Sequence, residues 1–433
     1  MSEMGPQTPS YDVIVVGAGA AGLLAACRSG ERGRRTLLLE KNRKPGVKIL
    51  MSGGTRCNIT HDCEAAGIIA AFGSSESFLH SPLAALGPHE LVELLNNEGL
   101  TTKVEPGGKV FPKSDRAADV LSALVRGLER SGAELALDEG AVDISRRDAD
   151  SFRVTTEHRT LDCEKLIVTT GGKSYPGCGT TGDGYGWMAA LGHTIRRPRP
   201  ALVPLTSDES WIHELAGVTI ADVLLRVVDP AALESGDVKK RRRGALPVGV
   251  LIERRGSLLF TRFGLSGPAA LDVSRAVTAA PDPGSLVLSV DFFPDQSAES
   301  LDDWLRQSLA SEGKRQIANL TIEPLPRSLM RALVARAGVS PERRAAEITR
   351  SERAGLIAEL KQCKISVTGS RGFDKAEVTA GGIALDEIDS RTMQSKLVPN
   401  LFLAGEILDL DGFIGGYNFQ AAFSTGWLAG ESV

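Results

Sequence analysis

The stretch YDVIVVGAGAAG, residues 11–22, determines the fold of this chain. Its first half, Tyr11–Val16, is a short apolar run rich in β-branched residues and predicts a buried parallel strand. The motif GxGxxG follows at once, a predicted helix runs from Leu23 to Arg32, and Thr36–Leu39 predicts a second strand. Together these segments predict a βαβ unit with a dinucleotide site at its first turn.

Each residue of the motif has a chemical reason to be there. Gly17 permits the tight turn, Gly19 lets a pyrophosphate approach the backbone, and Gly22 lets helix and strand pack closely. The N-terminus of the helix offers free N–H groups and a partial positive charge to the phosphates. Glu40 stands 18 positions after Gly22 at the end of the second strand, where a carboxylate can bind the ribose hydroxyls of an adenosine.

A second unit near the end of the chain favours FAD over a nicotinamide cofactor. The apolar run Leu401–Leu403 leads into Gly405-Glu406, and a predicted helix begins after Gly415-Gly416. In a two-part FAD fold such a unit returns to the first βαβ, and its acid contacts the ribityl or pyrophosphate region. The helix N-terminus then faces the N1–C2=O edge of the flavin and favours the reduced form.

The sequence contains one dinucleotide motif in the right context. Gly177–Gly182 also reads GxGxxG, but it follows Lys173-Ser174-Tyr175-Pro176 and not a strand. We therefore predict no dedicated NAD(P)H domain and expect any NAD(P)H to bind transiently at the flavin, as the electron donor.

The sequence pattern changes near Arg196, where Pro198, Pro200 and Pro204 interrupt the preceding order of helices and strands. Alternating apolar segments follow and predict an inserted β-rich domain. A charged, amphipathic stretch after it predicts helices. We predict an α/β protein with four parts: 1–195, the first part of the FAD domain; 196–297, the β-rich domain; 298–362, the helical part of the insert; and 363–433, the second part of the FAD domain.

Composition narrows the function classes. The net charge of −4 provides no global basic field that would attract nucleic acid. Residues 1–10 are polar and no apolar run is long enough to span a bilayer, so we expect a cytoplasmic protein. The six cysteines and six histidines are scattered without CxxC or HExxH spacing, and we expect no metal.

The motifs resemble those of the bacterial flavoprotein family that includes the aminoacetone oxidases and the dehydro-bile-acid reductases, the BaiN-like family. The resemblance covers most of the chain, and it is carried by residues 12–22, 48–58, 110–115, 171–176, 182–185, 260–268, 378–382 and 405–418. It implies a two-part Rossmann-like FAD domain of the glutathione-reductase type, split around an insert with a β-barrel part and a helical part.

The resemblance also implies which residues bind FAD. They are Gly17, Gly19, Ala20, Ala21, Gly22, Glu40, Lys41, Lys48, Ser52, Gly53, Gly54, Arg56, Cys57, Asn58, Gly171, Gly172, Gly182, Asp183, Gly405, Glu406, Gly415, Gly416, Tyr417 and Asn418. The chain departs from the family at two positions. The family often has a glycine where Thr55 stands and a histidine where Arg262 stands, and an arginine is a poor proton donor.

Two residues of this set, Cys57 and Tyr417, are candidate proton donors, and Lys173, outside the set, is a third. By the family pattern the loop of Cys57 lies along the flavin, and its thiol suits the role if its pKa lies near the working pH. Small buried cysteines more often only pack a loop. Tyr417 and Lys173 are further candidates, although each also suits a structural or flavin-contacting role.

The run Lys239-Lys240-Arg241-Arg242-Arg243 is the strongest cluster of charge. Such runs are commonly solvated hairpin tips, and they also bind RNA phosphates. RNA matters here because some members of the family are thought to reduce a ribosomal RNA uridine to dihydrouridine.

Three functions remain open from the sequence. The favoured one is an FAD-dependent oxidoreductase that takes electrons from NAD(P)H and transfers hydride from flavin N5 to an activated C=C bond. The first alternative is a flavin oxidase of a small amine such as aminoacetone. The second is a ribosomal RNA dihydrouridine synthase or an RNA-associated flavoprotein.

Overall fold

The computed structural model describes residues 11–234, 246–320 and 324–433. The chain divides into two compact units. Unit 1 comprises residues 1–200 and 377–433, and unit 2 comprises residues 201–376. Each unit has its own buried apolar core. Within the described ranges, no helix is long and apolar enough to cross a membrane.

Unit 1 is built on a seven-stranded sheet across the described residues. Its strands and the other strands of the unit are β1 Tyr11–Val16, β2 Thr36–Leu39, β3 Thr60–His61, β4 Thr102–Val104, β5 Lys109–Pro112, β6 Glu134–Ala136, β7 Ala141–Arg146, β8 Phe152–Thr156, β9 Thr160–Val168 and β10 Ile195–Ala201, with β18 Val378–Ile383 and β19 Leu401–Leu403 after unit 2. The parallel order is β6-β2-β1-β9-β19, and β8 and β7 extend it antiparallel from β9. Apart from Asp12 and Thr36, β1 and β2 consist of apolar and aromatic residues, and all of their residues except Asp12 are buried, as is usual for strands covered on both faces.

Helices cover this sheet, and two smaller ladders accompany it. The helices of unit 1 are α1 Ala20–Glu31, α2 Val47–Thr55, α3 Ala65–Ala70, α4 His80–Ala85, α5 Pro88–Asn97, α6 Ala117–Ser131, α7 Asp183–Ala190 and, after unit 2, α14 Tyr417–Glu431. Strands β3, β5 and β4 form a three-stranded antiparallel sheet, and β10 pairs with β18. This βαβ core with a late returning strand confirms the predicted α/β, Rossmann-like fold class.

Unit 2 contains a second seven-stranded sheet among its described residues. Its strands are β11 Leu205–Thr206, β12 Thr219–Val228, β13 Val250–Thr261, β14 Gly264–Ser266, β15 Val287–Asp291, β16 Cys363–Ser366 and β17 Gly369–Ser370. The order is β16-β15-β12-β13-β14-β11-β17. The two edge strands, β16 and β17, follow one another in the chain with two residues between them, so the sheet curls back on itself.

The helices of unit 2 pack on this sheet and on one another. They are α8 Ser210–Glu214, α9 Pro230–Glu234, α10 Pro268–Ala279, α11 Ala298–Ser311, α12 Arg327–Arg336 and α13 Arg350–Gln362. Helix α13 begins with a capping box, in which Thr349 and Glu352 bond each other's backbone N–H groups. Short 3₁₀ helices lie at Gly73–Leu79, Pro176–Cys178, Pro283–Ser285, Ile317–Asn319, Ala345–Glu347, Phe373–Lys375 and Leu385–Glu387.

The unit boundaries differ from those expected at 195/196 and 362/363. The first lies five residues later, because Ile195–Ala201 forms a strand with Val378–Ile383 in spite of its prolines. The second lies at 376/377, because Cys363–Ser366 pairs with Val287–Asp291 inside unit 2. Helices α4 and α5 are separate because Gly87 is extended and Pro88 starts a new helix.

Candidate functional site

The glycine motif forms the turn between β1 and α1, and its three glycines have different surroundings. A Cβ on Gly17 would lie 2.8 Å from the carbonyl oxygen of Thr169, and one on Gly22 would lie 1.9 Å from the carbonyl oxygen of Gly17. A Cβ on Gly19, at the start of α1, would meet nothing within 4 Å. The first and third glycines therefore serve close packing, whereas the middle one borders open space.

Glu40 lies at the carboxyl end of β2 and binds this turn directly. The backbone N–H of Ala18 donates to Glu40 Oε2 at 2.9 Å. The backbone N–H and side-chain amide of Asn42 donate to Glu40 Oε1 at 2.9 and 2.7 Å. These bonds hold the buried carboxylate beside the glycine turn, where the sequence predicted a ribose ligand.

Helices α1 and α14 run parallel along a seam of glycines. A Cβ on Gly426 would lie 2.2 Å from the carbonyl oxygen of Ala21, and one on Gly430 would lie 2.3 Å from that of Ala25. The equal steps of four residues show that the two helices run in the same direction. Because α14 begins nine residues before Gly426 and α1 begins one residue before Ala21, the N-terminus of α14 extends about 12 Å beyond that of α1.

Both N-termini are capped by glycines without a side-chain hydrogen bond. The N–H groups of each first turn lack partners within the helix and carry the positive end of the helix dipole. Unit 1 therefore presents two helix N-termini with N–H donors, offset from each other along the common direction of α1 and α14. Glu40 lies beside the N-terminus of α1. This donor set fits FAD, which has a diphosphate, a ribose and an electron-accepting pyrimidine edge along its length.

A polar network joins four segments next to the start of α1. Lys48 Nζ donates to Glu406 Oε2 at 2.5 Å and to Ser174 Oγ at 2.6 Å. Ser174 Oγ donates to Glu406 Oε1 at 2.5 Å, as does the backbone N–H of Thr379 at 2.9 Å. Gly405 precedes this acid, and a Cβ there would lie 2.8 Å from the Cβ of Ala21. The network therefore fixes Glu406 beside the first turn of α1.

The predicted residues after β9 are part of the same surroundings. A Cβ on Gly172 would lie 2.3 Å from Thr379 Oγ1, and Gly171 has a φ of +74°. Gly182 caps α7 with a φ of +84°. Lys41 Nζ binds Asp183 Oδ2 at 2.6 Å and Thr181 Oγ1 at 2.8 Å, which ties this loop to the end of β2.

The helical geometry of α2 is interrupted at Ser52, and residues 52–58 form a loop that turns through left-handed backbone. Gly53, Gly54, Thr55 and Cys57 have φ values of +56°, +68°, +70° and +59°. Thr55 is the position where the resembled family often has glycine, and a β-branched residue is strained in this region. The guanidinium of Arg56 lies over the ring of Phe111 and is bound to Glu105 and Asp115, so its charge is engaged by protein carboxylates.

Cys57 is fully buried, and burial raises the pKa of its thiol to about 12. The Oγ of Ser52 in this loop donates to the carbonyl oxygen of Ile49. Asn58 Oδ1 is buried without a hydrogen-bond partner and would lie 2.9 Å from a Cβ on Gly416. The end of the loop thus packs against the turn that starts α14.

Tyr417 is the first residue of α14 and stacks on His61, with ring centroids 4.9 Å apart and an interplanar angle of 20°. The side chain of Asn418 bonds Gly412 and Phe413, so it orders the loop that leads into α14. His61 was not among the sequence candidates. A lone histidine after CNIT carries no motif, and its contact with Tyr417, far along the chain, is visible only in the folded structure.

The structure thus brings every predicted cofactor-binding residue into unit 1. The basic run Lys239–Arg243 lies outside the described residues. Gly177–Gly182 spans the end of the 3₁₀ helix Pro176–Cys178 and the loop before α7, and it does not follow a strand directly.

Comparison with known proteins gives a match over nearly the whole chain. The family model described as "HI0933-like protein Rossmann domain" matches residues 11–432. The chain is 32% identical over 426 residues to the ribosomal RNA dihydrouridine synthase of Escherichia coli (strain K12), covering 98% of each protein. It is 30% identical over 423 residues to the 3-dehydro-bile acid delta(4,6)-reductase of Clostridium scindens, covering 97% of this chain and 98% of the relative. A ribosomal RNA dihydrouridine synthase of Haemophilus influenzae is 28% identical over 426 residues, covering 97% and 98%.

Proposed function

This chain belongs to the HI0933-like family of FAD-binding Rossmann oxidoreductases, and on that premise we propose that it is a reductase of activated C=C bonds that takes its electrons from NAD(P)H. The family membership makes it an FAD-dependent oxidoreductase. The direction of the reaction, the donor and the class of acceptor are the proposal.

One observation carries the proposal. Two relatives that match at least 97% of this chain bear names that describe addition of hydrogen to a C=C bond. Dihydrouridine is uridine with its ring C=C reduced, and a delta(4,6)-reductase of a 3-dehydro acid acts on C=C bonds conjugated to a carbonyl. Both acceptors are electron-poor alkenes, which is the class of acceptor proposed for this chain.

Different residues of unit 1 would bind the different parts of FAD. The first turn of α1 and the open space at Gly19 would receive the diphosphate, Glu40 would bind the adenosine ribose, and the first turn of α14 would face the N1–C2=O edge of the flavin. Glu406 and Ser174 hold the side chain of Lys48, and its positive charge would offset the negative charge of the phosphates. When bound, FAD supplies hydride from N5 to the acceptor.

The proton that must accompany the hydride requires a donor from the protein or from solvent. Cys57 stays a prediction for this role, but its burial and raised pKa oppose it, because a thiol out of reach of solvent cannot exchange its proton. Tyr417 is half-buried at the start of α14 and is the better candidate of the two. In unit 1 its phenol ring is supported by the ring of His61.

An anaerobic titration tests the proposal. The purified holoprotein is mixed with NADH or NADPH without oxygen, and the visible flavin bands are followed. We expect one nicotinamide to bleach the flavin, and a conjugated enone or a uridine-containing RNA to restore the colour faster than air does. Failure of both nicotinamides, together with bleaching by a small amine and reoxidation by air within the mixing time, would overturn the reductase and favour the amine oxidase.

The acceptor arms of the same titration separate the small molecule from RNA. Reoxidation by a cyclic enone alone assigns a small-molecule substrate. Reoxidation by RNA alone assigns a nucleic-acid substrate and makes Lys239–Arg243 the first segment to neutralise. We then expect the affinity for RNA to fall and its dependence on salt to weaken, with flavin content unchanged.

A further inference from the structure

His61 ends β3 and contacts the two residues that flank the start of α14. Its Nδ1 lies 3.2 Å from the carbonyl oxygen of Gly415. Its ring stacks on that of Tyr417. A Cβ at Gly108 would lie 2.4 Å from Nε2 of the same ring. The imidazole is therefore confined between the β4–β5 turn and the first residue of the helix.

The hydrogen bond fixes both a tautomer and the orientation of a peptide. A carbonyl oxygen only accepts, so Nδ1 of His61 carries the proton and donates it to Gly415. In a trans peptide the N–H points opposite to the C=O of the same unit. Because the carbonyl of Gly415 points at His61, the N–H of Gly416 points away from it.

The Gly415–Gly416 peptide must be held in one orientation by its neighbours, because both of its residues are glycines and the peptide can otherwise rotate. Gly415 and Gly416 have φ values of +143° and +94°, and glycine visits such values as readily as their opposites. A Cβ on Gly416 would lie 2.6 Å from the carbonyl oxygen of Thr60, so β3 and this turn are in close contact. Thr60 Oγ1 also binds Gln420 Oε1 at 2.6 Å, which anchors the first turn of α14 on the same strand.

We propose that His61 is a positioning residue that locks the Gly415–Gly416 peptide, so that the Gly416 N–H joins the donors at the N-terminus of α14 that face the flavin N1–C2=O edge. The inference rests on the proposed placement of FAD at α14. A fixed donor at that edge stabilises the negative charge of the reduced cofactor more than the neutral oxidised form. His61 therefore raises the reduction potential of the flavin without touching it.

Three substitutions separate the hydrogen bond from the stacking. His61→Phe keeps a ring on Tyr417 and removes the donor. His61→Asn loses the ring but places an amide N–H near the position of Nδ1. His61→Ala removes both. His89→Phe, at an exposed histidine of α5, is the matched control.

The measurement is the midpoint potential of bound FAD, by equilibration with a reference dye in the absence of NAD(P)H and acceptor. We expect His61→Phe and His61→Ala to lower the two-electron reduction equilibrium about tenfold, equal to a potential about 30 mV more negative. We expect His61→Asn and His89→Phe to stay within about twofold of the wild type. A potential that is normal in His61→Phe but lowered in His61→Asn would overturn the lock, as would wild-type potentials in all three variants.

Loss of cofactor gives a second readout. If His61→Phe purifies without FAD while His61→Asn retains it, the lock is supported at the level of binding. If both lose FAD equally, His61 is only a packing residue. These outcomes are independent of the proposed reaction, since a wild type that binds FAD but does not reduce alkenes still has a potential to compare.

Discussion

Gly19 and Gly22 are three residues apart, and the structure assigns them opposite sensitivities. A side chain at 19 enters open space, whereas one at 22 meets the backbone of Gly17. We expect Gly19→Val to fold with a nearly unchanged free energy of unfolding but to purify without colour, because the new methyl groups occupy the path of the diphosphate. Gly22→Ala should instead fail to fold or unfold at much lower denaturant. Urea unfolding and the FAD-to-protein ratio report the two effects, and a yellow Gly19→Val protein would refute the placement of the phosphates.

The burial of Cys57 can be tested by alkylation of its thiol. Its pKa is raised to about 12 from 9.0, so the folded state keeps a proton that the unfolded state loses above pH 9. The contribution to stability is therefore complete below pH 9 and falls as the pH rises from about 9 to about 12. We expect iodoacetamide at pH 8 to leave Cys57 unmodified until urea is added, and Cys57→Ala to retain both half-reactions. Peptide mapping and stopped-flow rates check this, and rapid alkylation of the native protein would contradict it.

Several contacts of individual residues could not be predicted from the sequence. The glycine motif and Glu40 follow from spacing alone, because local backbone chemistry dictates them. The ion pairs of Arg56 with Glu105 and Asp115 depend on strand pairing between segments that are far apart in the chain. Nothing local to residue 61 distinguishes it from any other histidine.

At the scale of elements, the seam between α1 and α14 has almost no room. We expect Gly426→Ala to lower the free energy of unfolding by about 1–3 kcal/mol, the usual cost of overpacking, and to weaken FAD binding as α14 moves away from α1. Gly186→Ala, in the exposed face of α7, is the control, since a Cβ there meets nothing within 4 Å. That control should be neutral or stabilising by about 0.5–1 kcal/mol. Equal urea midpoints for the two variants would mean that the seam is not tight.

The network around Glu406 ties α2 to the loops after β9 and β19. We expect Glu406→Gln to lower the free energy of unfolding by about 1–3 kcal/mol, since a neutral amide cannot accept all the bonds from Lys48, Ser174 and Thr379. FAD affinity should fall with it. Glu129→Gln, at an exposed acid of α6, should change neither quantity, and isothermal titration of the apoprotein with FAD compares the two.

The buried strands and the late returning unit could be predicted from the sequence because apolar runs next to glycine turns mark parallel sheets. The boundary at 376/377 could not be predicted, since Cys363–Ser366 reads as a short strand that suits either unit. Only its ladder with Val287–Asp291 assigns it to unit 2.

For the whole molecule, we expect FAD binding to protect the N-termini of α1 and α14 selectively from hydrogen exchange. We expect hydrogen exchange of the amides in residues 20–23 and 417–420 to slow on FAD binding, because those N–H groups gain acceptors. The interior strands β12 and β15 of unit 2 should exchange at the same rate with and without FAD. Mass spectrometry of peptic peptides measures both, and uniform protection of the two units would contradict a site at α1 and α14.

The glycine seam also affects how the chain is made. Helix α1 is synthesised nearly 400 residues before its partner α14. At translation speeds of 5–20 residues per second, this interval lasts roughly 20–80 s. Throughout it, the small apolar face of α1 that α14 will cover has nothing to bury it, and a FAD molecule could be held by only one of the two helix ends. We therefore expect FAD to bind stably only after α14 is complete.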